Sequence, residues 1–462
     1  MNEDTLKANV PPALPKRLVR RFTTVMKMAS IALLILLLLI PLSMVRSVLR
    51  ERLTRRDTSV REITSTWGRE QVILGPVLIV PYRHYKKTSR DQVVGGRTER
   101  IESTESVRSK AYFLPASLKA DGQLKPDRLH RGIYETVVYS GTLNLNGSFS
   151  RPSFEEWKVD PQLILWDEAE VAVSVTDLRG AKESLQIKLA GQTLLLTPGS
   201  RFKGFEGGVY SRINGLSAET GAIPFEMSLT LNGSRSLRFA PVGANNDVRL
   251  ASTWPDPSFQ GAFLPVERKV GSDGFSAQWR ISCYGRSYPQ QWTERNSIDS
   301  GKITSSLFGV ELVPALDSYR HVERAIKYGI LFISLLFTSF FLFEVLSGIR
   351  IHPFQYTLVG AALCLFYLGL LALSEVTSFG KAYWAGAALS SLMIALYSAK
   401  VLRSTGRACI VAAGLAAVYA FLYVILRLQD YSLLVGSAGL FLALAIVMYV
   451  TRNIDWYARD IE

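Results

Sequence analysis

Uncharged apolar stretches at opposite ends of the chain limit its fold more than any other feature. Met28 to Val45 is an 18-residue run without a charge. Five more runs follow residue 327: Tyr328 to Ile349, interrupted by Glu344, then Pro353 to Ser374, Ala382 to Ala399, Ala408 to Leu426 and Tyr431 to Thr451. At 1.5 Å per residue each is long enough to cross about 30 Å of hydrocarbon as a helix. The polar residues concentrate between them. The expected fold is a mixed membrane protein with one N-terminal transmembrane helix, a large β-rich extracytoplasmic domain and a C-terminal bundle of five transmembrane helices.

The expected division is a cytoplasmic tail over 1–24, a transmembrane helix over 25–46, an outer domain over 47–326, a five-helix bundle over 327–451 and a second cytoplasmic tail over 452–462. Lys16, Arg17, Arg20, Arg21 and Lys27 precede the first run, and Arg46, Arg50 and Arg52 follow it. With no A-x-A-like site after it, the run reads as an uncleaved anchor rather than a signal. Arg350, Lys400, Arg403, Arg407, Arg452 and Arg459 lie in loops and a tail on one side of the later spans, against only Lys381 and Arg427 on the other. The positive-inside rule then places both termini in the cytoplasm and the middle region outside.

The same flanking cations account for much of the excess of 53 Lys and Arg over 39 Asp and Glu. No nucleic-acid-reading motif accompanies the charge, so headgroups rather than DNA or RNA are its expected neighbours. Cys283, Cys364 and Cys409 are far apart and form no CxxC. His84, His130, His321 and His352 have no His or Cys at metal-binding spacing, so neither a metal nor a cofactor is expected.

Within the outer domain, Val45, Val48, Leu49, Leu53, Val60, Ile63 and Trp67 recur mostly at steps of three or four, which predicts a helical stalk over 47–67. Past Gly68 the period becomes two, in Val72 to Val80, Thr136 to Leu145, Val171 to Val175, Leu185 to Leu196, Phe225 to Leu231 and Phe275 to Ser282. That pattern predicts a β-sandwich or a curled sheet. Leu143 to Ser148 and Leu229 to Ser234 share a text ending in Asn-Gly-Ser, and the Asn-Gly pairs predict tight hairpin turns. The shared text fits convergent turn chemistry better than an internal duplication. Residues 83 to 110 read as an exposed loop or a mobile hairpin.

The chain has no P-loop, no HExxH and no GxSxG. Inside the apolar runs the ionisable candidates are Glu344 and Glu375, because a carboxylate near hydrocarbon is costly unless it is paired, protonated or wet. An interfacial ion pair near a helix end, with Arg350 or His352 for Glu344 and Lys381 for Glu375, competes with a substrate or proton role. Gly360, Cys364, Gly386 and Ser390 suit close helix packing. Tyr328, Tyr383, Trp384, Tyr431 and Trp456 suit interfacial belts. Trp67, Trp157, Trp166, Trp254, Trp279 and Trp292 suit core packing more than a glycan or lipid site.

Several segments, taken as a set, carry a resemblance. They are Trp67-Gly68-Arg69-Glu70-Gln71, then Gly75-Pro76 leading to Pro81-Tyr82, then Arg131-Gly132-Ile133-Tyr134, Phe259 to Pro265 and Phe275 to Trp279. In the membrane half they are Arg324 to Gly329 with Lys327-Tyr328, Phe343-Glu344, His352-Pro353 with Gln355-Tyr356, Leu373 to Glu375, and Ala382-Tyr383. The chain resembles the CreD family of bacterial inner-membrane proteins over nearly all of its length after residue 20. The resemblance implies a multi-pass protein of the inner membrane with a periplasmic outer domain. It also implies a link to cell envelope integrity, a two-component regulon, the β-lactam response and colicin tolerance. One departure is Val376, where some members carry a His after Ser-Glu, so no role of that His transfers.

The expected function is therefore a non-enzymatic one, in which the periplasmic domain binds or braces an unknown envelope partner while the helices hold it in the bilayer. The rival expectation is a lipid or cell-wall precursor transporter-like protein that uses Glu344 or Glu375. A third, an envelope hydrolase, needs a His placed against a hydroxyl or carboxylate in the outer domain.

Overall fold

The structure is a computed structural model that describes residues 16–94, 97–181, 184–314, 318–347, 351–402, 404–428 and 431–452. Arg350, Arg403, Trp456, Arg459 and most of both expected tails lie outside the described residues. The chain forms two compact units, Met1–Arg55 with Leu316–Glu462, and Arg56–Ala315.

The first unit is helical. It begins with α1 (Lys16–Trp67), an uninterrupted helix of 52 residues with Pro41 inside it, whose last turns belong to the other unit. It continues as α3 (Ser318–Lys327), α4 (Gly329–Ser347), α5 (Pro353–Ser374), α6 (Phe379–Val401), α7 (Thr405–Arg427) and α8 (Ser432–Thr451). Among the described residues, five helices are long and apolar enough to cross a membrane, or six if α3 and α4, bent by 45° at Tyr328, count as one span. Close packing explains the small residues. A Cβ on Gly360 would lie 2.2 Å from Leu38 of α1, and one on Gly386 would lie 3.3 Å from Phe366.

The second unit holds β1 (Gln71–Val94), β2 (Arg97–Phe113), β3 (Ser117–Arg131), β4 (Tyr134–Phe149), β5 (Glu170–Val175), β6 (Gln186–Leu189), β7 (Gln192–Leu195), β8 (Thr197–Pro198) and β9 (Val209–Arg212). It goes on with β10 (Ile223–Ser234), β11 (Ser236–Phe239), β12 (Asn245–Ser252), β13 (Pro257–Gly261), β14 (Glu267–Gly271), β15 (Gly274–Ser282), β16 (Gln291–Thr293), the short α2 (Ser300–Thr304) and β17 (Phe308–Leu312).

One sheet has nine strands, in the order β13-β17-β11-β1-β5-β9-β8 with β2 and β16 attached beside β1. The other has eight, in the order β14-β15-β12-β3-β4-β10-β6-β7. Both are mixed, because β1 runs parallel to β11 and β12 runs parallel to β3. Alternation along β10, buried at Phe225, Met227, Leu229 and Leu231, turns one face inward. Those residues join Val77, Leu78, Val171 and Val173 of the other sheet in a single core, so the unit is a two-sheet sandwich. Trp254, Trp279 and Trp292 are buried in it.

The Asn-Gly pairs are not turns, contrary to the expectation. Asn146-Gly147 lies within β4 opposite Glu226 and Phe225, and Asn232-Gly233 lies within β10 opposite Ser140 and Tyr139. Close approach, not turn geometry, is the reason for each glycine. A Cβ on Gly147 would stand 2.0 Å from the Ser117 carbonyl oxygen, and one on Gly233 would meet the Tyr139 ring at 2.4 Å. The turn that does need glycine is Gly132, whose φ of +63° serves the two-residue connection between β3 and β4. Residues 83 to 110 form most of a β1–β2 ribbon, paired in register from Leu78 opposite Phe113 to Val94 opposite Arg97.

Candidate functional site

The two intramembrane carboxylates are each held by a cation of α1. Glu344, 8% exposed on α4, pairs with Lys27 Nζ and accepts a 2.9 Å hydrogen bond from the Tyr356 hydroxyl. Lys27 also donates to the Ile351 carbonyl at 3.1 Å. The expected partners differ. Arg350 lies outside the described residues, and His352 instead caps α5, its Nδ1 accepting from the Phe354 amide at 3.2 Å. Gln355 closes the capping box, its side-chain oxygen accepting from the His352 amide at 3.1 Å. A helix N-terminus leaves amides unpaired, so an imidazole next to Pro353 is better used there than as an ion-pair partner.

Glu375 caps the other end of α5. Arg52 Nε lies 3.5 Å from its carboxylate and the Tyr319 hydroxyl donates to it at 3.2 Å, while Lys381, the expected partner, is exposed. Lys27 and Arg52 are 25 residues apart on one helix, or about 37 Å, which slightly exceeds the hydrocarbon thickness. Two ion pairs therefore pin α1 to α4 and α5 near the two ends of its apolar run. Sequence reading named Lys27 and Arg52 only as flanking charges; pairing over more than 300 residues has no periodic signal.

Between them the bundle is rich in buried tyrosine. The Tyr383 hydroxyl donates to the Tyr419 carbonyl at 2.7 Å, and Tyr419 and Ser390 share a 2.9 Å hydrogen bond. Arg324 reaches the carbonyls of Leu426 and Leu428 at 3.5 and 3.3 Å, where the C-terminal end of α7 attracts a cation. Lys327 forms an i,i+4 pair with Glu323, and Tyr328 marks the bend between α3 and α4.

The remaining motif residues sit in the β unit, mostly where α1 gives way to β1. The Trp67 indole donates to the Tyr139 carbonyl at 3.3 Å. Gly68 follows with φ +153°, where a Cβ would lie 2.7 Å from the Asn232 carbonyl oxygen. Gln71 is fully buried. Its amide donates to the carbonyls of Asp177 and Asn232 at 2.9 and 2.8 Å and accepts from the Asp177 amide at 3.2 Å. Gly75 and Pro76 occupy the shift in register between β1 and β5. The Pro81 carbonyl accepts from the Leu165 amide at 2.9 Å, and Tyr82 is buried edge-on to Phe154. Arg131 pairs with Glu62 at 3.0 Å, and Tyr134 stands opposite Arg131 across the Gly132 turn.

Asp177 completes this junction, accepting from the Arg69 and Arg179 amides and from the Arg179 guanidinium at 2.8 to 3.1 Å. Burial alone would raise its carboxyl, but the Arg179 side chain and the two amides outweigh that and hold it below the usual range. A lowered folded-state pKa means stability that is present above the unfolded value and lost as pH falls through the folded one. Asp177→Asn is expected to lower stability by about 2 kcal/mol at pH 7, through weakened charge-assisted hydrogen bonds. Its deficit should shrink below pH 4. Tryptophan-fluorescence unfolding curves from pH 7 to 3 check this; an unchanged deficit at pH 3 contradicts it.

The family described as "Inner membrane protein CreD" matches residues 23–457. The chain belongs to the CreD family. A curated relative, the inner membrane protein CreD of Escherichia coli (strain K12), is 33% identical over 433 residues, covering 94% of this chain and 93% of its own. Among solved structures, native yeast LTA4 hydrolase overlaps 48% of this chain and 35% of its own at a TM-score of 0.19 and 8% identity, a likeness that carries no argument. Membership of the CreD family, together with the apolar helices, makes this a multi-pass inner-membrane protein. Its resemblance segments hold structural positions in the fold: the α1–β1 junction, the Glu344 pair and the α5 cap.

Proposed function

We propose that this CreD-family protein supports cell envelope integrity through its β unit, which faces the periplasm and binds or braces an envelope partner without catalysis, while both termini remain cytoplasmic. The observation that carries this reading is that both intramembrane carboxylates are engaged by cations of α1. Groups used in this way hold helices together, and the bundle then serves as the seat of α1.

The β unit offers a surface for binding. Two open hollows of about 960 and 630 Å³ lie on the polar face of the eight-stranded sheet and share Asn144. Lys119, Asn146 and Glu226 line the first, Gln123, Thr142 and Arg249 the second. A hydrolase finds weaker support. His130 Nε2 lies 3.2 Å from Glu135, but both side chains stand on the solvent side of a hairpin, and no hydroxyl bonds His130 among the described residues.

Cells carrying a chain with the β unit deleted are expected to insert the helices yet lose the envelope phenotype; wild-type behaviour would refute the reading. A phosphatase reporter inserted near Gly199 should be active only if that unit is periplasmic. The transporter-like reading has one observation in its favour, a small cavity beside Tyr356 into which the buried Ser398 hydroxyl faces with no partner among the described residues. On that reading, Glu344→Gln or Glu375→Gln abolishes function at unchanged protein level. A neutral outcome at both disposes of it.

A further inference from the structure

Strand β14 forms one edge of the eight-stranded sheet, and among the described residues its only strand neighbour is β15. All five of its residues are exposed. An edge strand presents a row of backbone donors and acceptors to any chain that can lie beside it, and proteins ordinarily blunt such an edge. This one carries Glu267, Arg268 and Lys269 at its centre, with apolar side chains about them, Leu264, Val266 and Val270 at 65%, 63% and 53% exposure, so what can lie beside it is limited to a strand of matching charge.

The register with β15 assigns its faces. Arg268 and Val270 stand opposite Ala277 and Phe275, which are buried, so they point to the core side and run beyond the core. Glu267 and Lys269 stand opposite Gln278 and Ser276 on the polar side. Val266 to Val270 thus reads apolar, acidic, basic, basic, apolar, and the text is complementary to its own reverse about Arg268.

We propose that β14 pairs antiparallel with β14 of a second copy of this chain, around a two-fold axis through Arg268, so that the two eight-stranded sheets become one. This register sets Glu267 against Lys269 of the second copy, and Lys269 against its Glu267, on the polar side. It sets Val266 against Val270 of the second copy, and the reverse, on the core side. Opposite charges and apolar pairs directly across an antiparallel ladder stabilise it, and the symmetry makes each pair occur twice. Glu267 also pairs with Arg280 at 3.2 Å in an exposed contact, while Lys269 forms no ion pair among the described residues. Arg268 is the one residue set against its own like, which makes it the adjustable position.

The test uses the full chain in lipid nanodiscs and in membrane vesicles. Directly opposed residues of an antiparallel pair lie about 4.5 to 5.5 Å apart at Cα, within reach of a disulfide. Arg268→Cys should therefore give a disulfide-linked dimer on oxidation, above the background of the native cysteines. Thr230→Cys, on a central strand, should not. Glu267→Lys or Lys269→Glu alone should weaken the dimer about tenfold, and the two together should restore it. Arg268→Val should strengthen it. These side chains are exposed, so the fold survives each change, which the Trp fluorescence of the β unit verifies. A monomeric chain that Arg268→Cys does not cross-link, or a dimer indifferent to the charge reversals, overturns the proposal. So does capture of a different protein by the cysteine.

Discussion

Replacing Lys27 by Met is expected to destabilise the helical unit by about 3 kcal/mol, because it leaves the Glu344 carboxylate at the membrane edge with only a tyrosine hydroxyl. Removing both charges, as Lys27→Met with Glu344→Gln, should recover most of that loss, since Tyr356 can still donate to the Gln amide oxygen. Thermal melting in nanodiscs measures both. A double variant as unstable as the single one would show that Glu344 matters to the fold for some reason other than its pairing with α1. The same pair separates the functional readings: a clamp is restored by the double change, whereas a proton or substrate site is not.

Gln71→Leu is expected to cost the β unit about 3 to 5 kcal/mol. Leu fills similar space but strands the carbonyls of Asp177 and Asn232 and the Asp177 amide, whose bonds to Gln71 are all buried. Unfolding followed by the fluorescence of buried Trp254, Trp279 and Trp292 reads the loss. Stability within 1 kcal/mol of the native chain would mean that the junction can rearrange around a lost amide.

What was legible beforehand divides along physical lines. The spans are visible because hydrocarbon demands about twenty consecutive apolar residues, and α5 follows its apolar run from Pro353 to Ser374. Strand periodicity is visible at β10 because one face is buried and the other wet. The bend at Tyr328 falls where the charged α3 meets the apolar α4, beside Gly329, and hydropathy marks the change of composition there but not the 45° change of direction. The Asn-Gly pairs misled because a glycine that admits a neighbouring carbonyl or ring is written with the same letter as one that turns the chain.

The candidate site was half visible. Glu344 and Glu375 stand out in any reading because a carboxylate among apolar residues is conspicuous, and Gln71 and Tyr356 stand out through family resemblance. Their partners do not, because Lys27, Arg52 and Asp177 are ordinary charges or turn residues until folding brings them within 4 Å.

Composition and periodicity alone determined that this chain enters a membrane, that apolar helices stand at both of its ends, and that a β-rich region lies between them. Those features depend on contacts with solvent or lipid, which every residue makes through its own chemistry. Which carboxylate meets which cation, why Gln71 is buried, and that β14 ends as an open edge were decided only by the tertiary structure. Each depends on which distant segments share a neighbourhood, and no local pattern encodes that.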